Sequence, residues 1–108
     1  MQVTVQRTGI VDEVVLTGRL DGRSAGEVRD TLHAVLGAGS GRLVVDLTGV
    51  ELLDATGLGV LAGAHRRARQ SGRELVLRGA SIRVGRLLRL TRLDRVIPLE
   101  SAPHPVPA

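Results

Sequence analysis

Residues 43–79 read LVVDLTGVELLDATGLGVLAGAHRRARQSGRELVLRG. The opening run Leu43-Val44-Val45, closed by Asp46, predicts a central strand buried on both faces. A loop over residues 47–55 follows. A helix is then predicted from about Thr56 to Ser71, with Gly72 ending it. Its last turns carry His65, Arg66, Arg67 and Arg69, which suit the negative end of a helix dipole. Leu75-Val76-Leu77 is a second apolar run. A strand, a helix and a strand joined by short connections predict a right-handed crossover between parallel strands.

Upstream, Met1–Arg7 alternates, with Val3 and Val5 on one face and Gln2, Thr4 and Gln6 on the other, the pattern of a half-buried strand. Thr8-Gly9 and Asp12-Glu13 frame a turn, and Val14–Leu20 resumes strand character, so the two form an antiparallel pair. Ser24 and Glu27 have the spacing of a capping box. Ala25, Val28, Leu32, Val35 and Leu36 then form one helical stripe, stopped by Gly37, Gly39 and Gly41. Downstream, Ser81 opens a third helix to about Thr91, with Val84, Leu87, Leu88 and Thr91 inward. Val96-Ile97 reads as a short last strand before Pro98. The order is β-β-α-β-α-β-α-β: an α/β fold, a single domain over residues 1–100, with helices packed on a mixed, mostly parallel sheet. Residues 101–108 hold three prolines and no periodicity, and are expected to form a disordered tail.

Composition narrows the chemistry. A chain of 108 residues is one domain's worth, and 35 Leu, Val and Ile residues suffice for one core. There is no Phe, Tyr or Trp, which removes modules that stack bases on aromatic rings. No Cys excludes disulfides, thiolate metal sites and cysteine catalysis. All 15 basic residues are Arg, so Schiff-base chemistry and a P-loop lysine are excluded too. Residues 1–65 carry five Arg and eight acids, a balance of −3; residues 66–95 carry ten Arg against Glu74 and Asp94, a balance of +8. The basic half reads either as a solvated face or as a patch for something acidic. Nothing resembles a signal peptide, and the charge-free apolar stretch 55–64 is half a membrane span. A soluble cytoplasmic protein is expected, with neither nucleic acid nor membrane as partner.

Asp21, Asp46 and Asp54 map to the carboxyl ends of strands, where open α/β sheets meet their ligands. The trio admits three readings. A receiver-like phosphoryl site needs a lysine that is absent. Hydrolysis by paired carboxylates needs a walled cleft. The third is structural: Asp54 caps the second helix, and Asp21 and Asp46 order turns. His33, His65 and His104 have no i, i+4 spacing, so no metal site is expected and each reads as a surface residue. No cofactor and no catalytic group are predicted.

The second helix is unusual. Gly57, Gly59 and Gly63 alternate with Leu58, Val60, Leu61, Ala62 and Ala64, so apolar groups point in several directions. Glycine within a helix costs roughly 1 kcal/mol relative to alanine. The pattern reads as a docking surface for another protein, against the alternative of close packing inside the domain.

The segments LTGRLDGRSA (16–25), residues 43–79 and VGRLLRLTRLDRVIPL (84–99) together resemble the STAS domain, and within it the stand-alone anti-sigma factor antagonists. The resemblance spans about residues 3–99. It implies a non-enzymatic partner-switching protein that binds an anti-sigma factor of the serine/threonine kinase type and so regulates sigma-factor-dependent transcription. The partner surface it implies comprises Asp21, Asp54, Ala55, Thr56, Gly57, Leu58, Gly59 and Leu61. In the family the kinase phosphorylates the first hydroxyl after the loop Asp, and a phosphatase reverses it. Here that position is Ala55, which has no nucleophilic oxygen. Either the protein is permanently competent to bind, or Thr56 has become the acceptor; a capping or turn role for Thr56 is the favoured reading. The family's frequent fourth helix is expected to be absent. The alternative is a scaffold or regulatory STAS module in a larger signalling or transport assembly, with homodimerisation a further option.

Overall fold

The computed structural model describes residues 1–101. The predicted tail lies outside these residues from position 102 onward. The elements are β1 (Gln2–Arg7), β2 (Val11–Leu20), α1 (Ala25–Gly37), β3 (Arg42–Leu53), α2 (Ala55–Gln70), β4 (Glu74–Arg78), α3 (Ile82–Leu90), a 3-10 turn (Leu93–Arg95) and β5 (Leu99–Glu100). The five strands form one sheet in the order β1-β2-β3-β4-β5. β1 is antiparallel to β2, and every later pairing is parallel.

Each crossover steps one strand in the same direction, so right-handed connections put all three helices on one face. The core follows: Val14, Leu16 and Leu20 of β2, Leu43, Val45 and Leu47 of β3, and Leu75 and Leu77 of β4 face the helices. The predicted α1 stripe, Ala25, Val28, Leu32, Val35 and Leu36, is buried throughout. Without aromatics, the layer is filled by branched aliphatics and small alanines (Ala64, Ala68).

The other face of the sheet carries no helix, yet Val44 and Val76, paired in register, are fully buried and stand outside the main core. Long charged side chains share that face by register. Arg78 pairs with Glu13 at 3.1 Å and Glu100 at 3.6 Å, and Arg42 pairs with Glu74 at 3.3 Å and with Glu100. Their aliphatic stems cover apolar surface while their heads neutralise one another.

Several expectations are corrected. Residues 47–53 are not a loop: β3 is one twelve-residue strand, and Asp46 sits in its middle rather than at its end. Two register shifts against β2 explain the misreading. Each places an extra residue in β3, so its inward side chains become Leu47, Val50 and Leu53, three apart instead of two. Asp12 and Glu13 belong to β2, not to a turn. The capping box does not form: Ser24 has helical dihedrals, and its hydroxyl donates to the Arg19 carbonyl at 2.7 Å. Thr91 is exposed. Val96 and Ile97 follow the 3-10 turn and are not the last strand; the strand begins after Pro98, whose carbonyl accepts from the Leu77 amide at 2.9 Å.

At the amino ends of the strands, Arg73 is an unpredicted buried ion. Its guanidinium donates to Asp12 at 2.9 Å, to the Val35 carbonyl at 2.8 Å and to the Gly41 carbonyl at 3.0 Å. It thereby satisfies carbonyls freed at the end of α1. Burial alone raises the pKa of Asp12; hydrogen bonds from Arg73 and Arg7 outweigh burial and hold it below its ordinary value. His65, expected at the surface, is buried, and neither ring nitrogen has a hydrogen-bond partner among the described residues. Among the described residues, no helix is long and apolar enough to cross a membrane.

Candidate functional site

Two connections meet at the carboxyl ends of β2 and β3. In the first, between β2 and α1, the Asp21 carboxylate accepts from the amides of Arg23 at 2.9 Å and Ser24 at 3.3 Å. The Asp21 carbonyl accepts from Ser24 and Ala25. Asp21 thus orders the turn ahead of α1, as expected, while only its backbone carbonyl reaches a helical amide, that of Ala25.

In the second, Asp54 is extended and caps α2, with one carboxylate oxygen accepting from the Gly57 amide at 2.9 Å. Its other oxygen accepts from the Gly22 amide at 3.3 Å, and its own amide donates to the Leu20 carbonyl at 3.3 Å. One aspartate therefore staples the two connections together across 32 residues of sequence.

The predicted partner residues fall into two groups. Ala55, Thr56 and Gly59 are exposed on the first turns of α2, Leu58 is half-buried, and Asp21 and Asp54 lie partly buried behind them. Leu61 and Gly57 are interior. Leu61 is fully buried in the core, so its place on an exposed docking face is corrected. Gly57 is buried against Leu20: a Cβ there would stand 2.4 Å from the Leu20 carbonyl oxygen. Its glycine answers a close approach inside the domain. Gly59 is different, because a Cβ there meets nothing within 4 Å. The apolar start of α2 is thus mostly core, and only a narrow strip of small residues faces out. Thr56 is not a cap either; Asp54 fills that role.

The strip borders a groove between α1 and α2 that the sequence reading missed. Its volume is about 490 Å³. Thr56, Gly59 and Gly63 line it beside Arg29, His33 and Arg67. The signal was available: Arg29 and His33 are four apart on α1, and Thr56, Gly59 and Gly63 share one face of α2. What was lacking was the orientation of the two helices. Among the described residues, no three His, Cys, Asp or Glu side chains gather as metal ligands. The turn at the start of α2 is exposed and free of bulk, and Asp54 ties it to the first connection.

The chain as a whole is similar to known proteins. The family described as Mlab, STAS domain, matches residues 3–99. The chain is 36% identical over 89 residues to the anti-sigma-B factor antagonist of Listeria monocytogenes, covering 82% of this chain and 78% of that one. The crystal structure of an anti-sigma factor antagonist from Mycobacterium paratuberculosis is 31% identical, with a TM-score of 0.77 over 92% of this chain and 84% of that one. A Thermotoga maritima crystal structure, 23% identical, has the same fold with a TM-score of 0.86, covering 93% of this chain and 86% of that one.

Proposed function

The chain belongs to the STAS domain family, and from that premise we propose that it is an anti-sigma factor antagonist, acting by binding rather than by catalysis. Its partner is an anti-sigma factor of the serine/threonine kinase type, and capture of that partner frees a sigma factor in the cytoplasm. The observation that carries the reading is the exposed strip Ala55, Thr56 and Gly59, held in shape by the Asp54 staple to Gly22. Two small side chains and a glycine let a partner approach the helix backbone closely. Asp21 and Asp54 shape the surface, because their carboxylate oxygens already accept backbone amides.

Ala55 occupies the position where the resemblance places a phosphorylatable hydroxyl. A phosphate there adds nearly two negative charges to a docking surface. With alanine, that means of release is lost, and binding is governed by the amounts of protein and partner. A phosphatase acting at this position has no substrate.

The test is calorimetric titration against a kinase-fold anti-sigma factor from the same genome. Gly59→Arg adds bulk to the strip and removes a helix-interior glycine, so the fold is retained while affinity falls at least about tenfold. Unchanged affinity would overturn the surface. Incubation with the partner and ATP leaves the mass of the wild-type chain unchanged, and Ala55→Ser gains one phosphate. A phosphate on Thr56 of the wild type would show that the switch has moved.

A further inference from the structure

We propose that the outer face of α3 is a second docking surface, built for an acidic amphipathic helix of a partner protein. The inner face of α3 is accounted for: Val84, Gly85 and Leu88 are buried against the sheet. Ile82, Arg86 and Leu90 follow one another at four-residue spacing on the opposite side. Ile82 is 79% exposed and Leu90 75%. Single exposed aliphatics are ordinary on protein surfaces. Here two stand on one nine-residue helix, roughly 12 Å apart along its axis. Half-buried Leu87 lies near them, and these three side chains with Arg83 and Arg86 line a depression of about 390 Å³.

The two charged residues that line this depression, Arg83 and Arg86, are both cationic. Arg7, Arg42, Arg73 and Arg78 all hold carboxylates. Ten of the fifteen arginines pair with no carboxylate among the described residues, and five of these, Arg83, Arg86, Arg89, Arg92 and Arg95, are gathered on and just after α3. An apolar depression rimmed by free guanidinium groups fits an apolar side chain flanked by carboxylates, which guanidinium recognises through paired hydrogen bonds. A second copy of this chain would bring arginines against arginines. A nucleic acid backbone would satisfy the arginines and leave Ile82 and Leu90 facing polar phosphate. An acidic amphipathic helix uses both features, anchoring its apolar stripe and lining its flanks with Glu or Asp. None of the residues offered to the anti-sigma factor lines this face, so the two surfaces are separate in composition.

The test is a methyl and amide NMR titration of the full chain with a synthetic helix of ~15 residues bearing Leu at i, i+4 and i+7 and Glu on its flanks. Shifts confined to Ile82, Leu87, Leu90 and the neighbouring arginines are expected. Affinity falls at least about tenfold with Gln in place of Glu, with Arg86→Glu, and with Leu90→Ser. All of these sites are exposed or on the probe, and the unperturbed remainder of the spectrum reports an intact fold. No shift on α3 at about 1 mM peptide, which corresponds to roughly 4 kcal/mol of binding, would overturn the proposal. So would binding that is indifferent to Arg86→Glu. Phosphatidylglycerol vesicles or a DNA duplex perturbing the face when the peptide does not would assign it to phosphate instead.

Discussion

Gly57 lies so close to Leu20 that a methyl group on it would sit 2.4 Å from the Leu20 carbonyl oxygen, with Leu53 and the Leu20 side chain also inside contact distance. The start of α2 is thereby locked against the end of β2. Gly57→Ala is expected to destabilise the protein by about 1–3 kcal/mol, because overpacking against backbone outweighs the gain in helix propensity. Gly59→Ala, two residues on, is expected to stabilise it by up to about 1 kcal/mol, since its Cβ meets open space. Urea midpoints of the two variants should move in opposite directions. Equal shifts would refute the distinction between the packed and the outward glycine.

Asp54 bonds two segments at once. Asp54→Ala removes the cap on α2 and the tie to Gly22, and is expected to cost about 1–2 kcal/mol. Hydrogen exchange should rise together at Gly57 and Gly22. Faster exchange at Gly57 alone would mean that the two connections are held independently.

The buried pair of Arg73 and Asp12 sets an acid limit. Its partners hold the Asp12 carboxyl below its ordinary pKa, so the unfolded chain takes up that proton first as the pH falls. The pair's stabilisation is complete above the ordinary carboxylate range and is lost below about pH 4 as the folded value is passed. Asp12→Ala should cost roughly 3 kcal/mol at neutral pH, because Arg73 keeps its charge in a buried site, and the acid limb should flatten. Chemical denaturation between pH 7 and pH 3 measures both effects.

His65 works in a higher pH range. Burial, with a smaller contribution from the Arg69 charge, lowers its pKa below 6.5. The folded protein therefore keeps a neutral ring at pH values where the unfolded chain is already protonated. Stability from this residue is full above pH 6.5 and declines as the pH falls toward the lower folded value. His65→Leu removes two unpartnered ring nitrogens and should both raise stability by about 1 kcal/mol and abolish the decline. A persistent slope in the variant would place its source elsewhere.

The strand-helix alternation was legible because the apolar stripes of α1 and the runs at Leu43 and Leu75 follow the expected periods. β3 beyond Asp46 was not, since its bulges change the inward spacing from two to three and mimic a loop. The turn was legible as a place: Asp54, Ala55, Thr56 and Gly59 do lie together there. Its depth was not. A sequence read at 3.6 residues per turn gives the angles around α2 but not which side meets the sheet, and Leu61, expected outward, faces in. Arg73 was illegible for a related reason. Nothing local marks an arginine whose partners, Asp12 and the end of α1, lie far off in the sequence.

The valines on the helix-free side of the sheet lie under a canopy of side chains, not under a structural layer. Arg42, Arg78 and the glutamates around them are joined to one another by ion pairs. Concentrated electrolyte weakens these pairs without touching a backbone bond. The molecule therefore has one flank whose wetness responds to its surroundings while its architecture stays fixed.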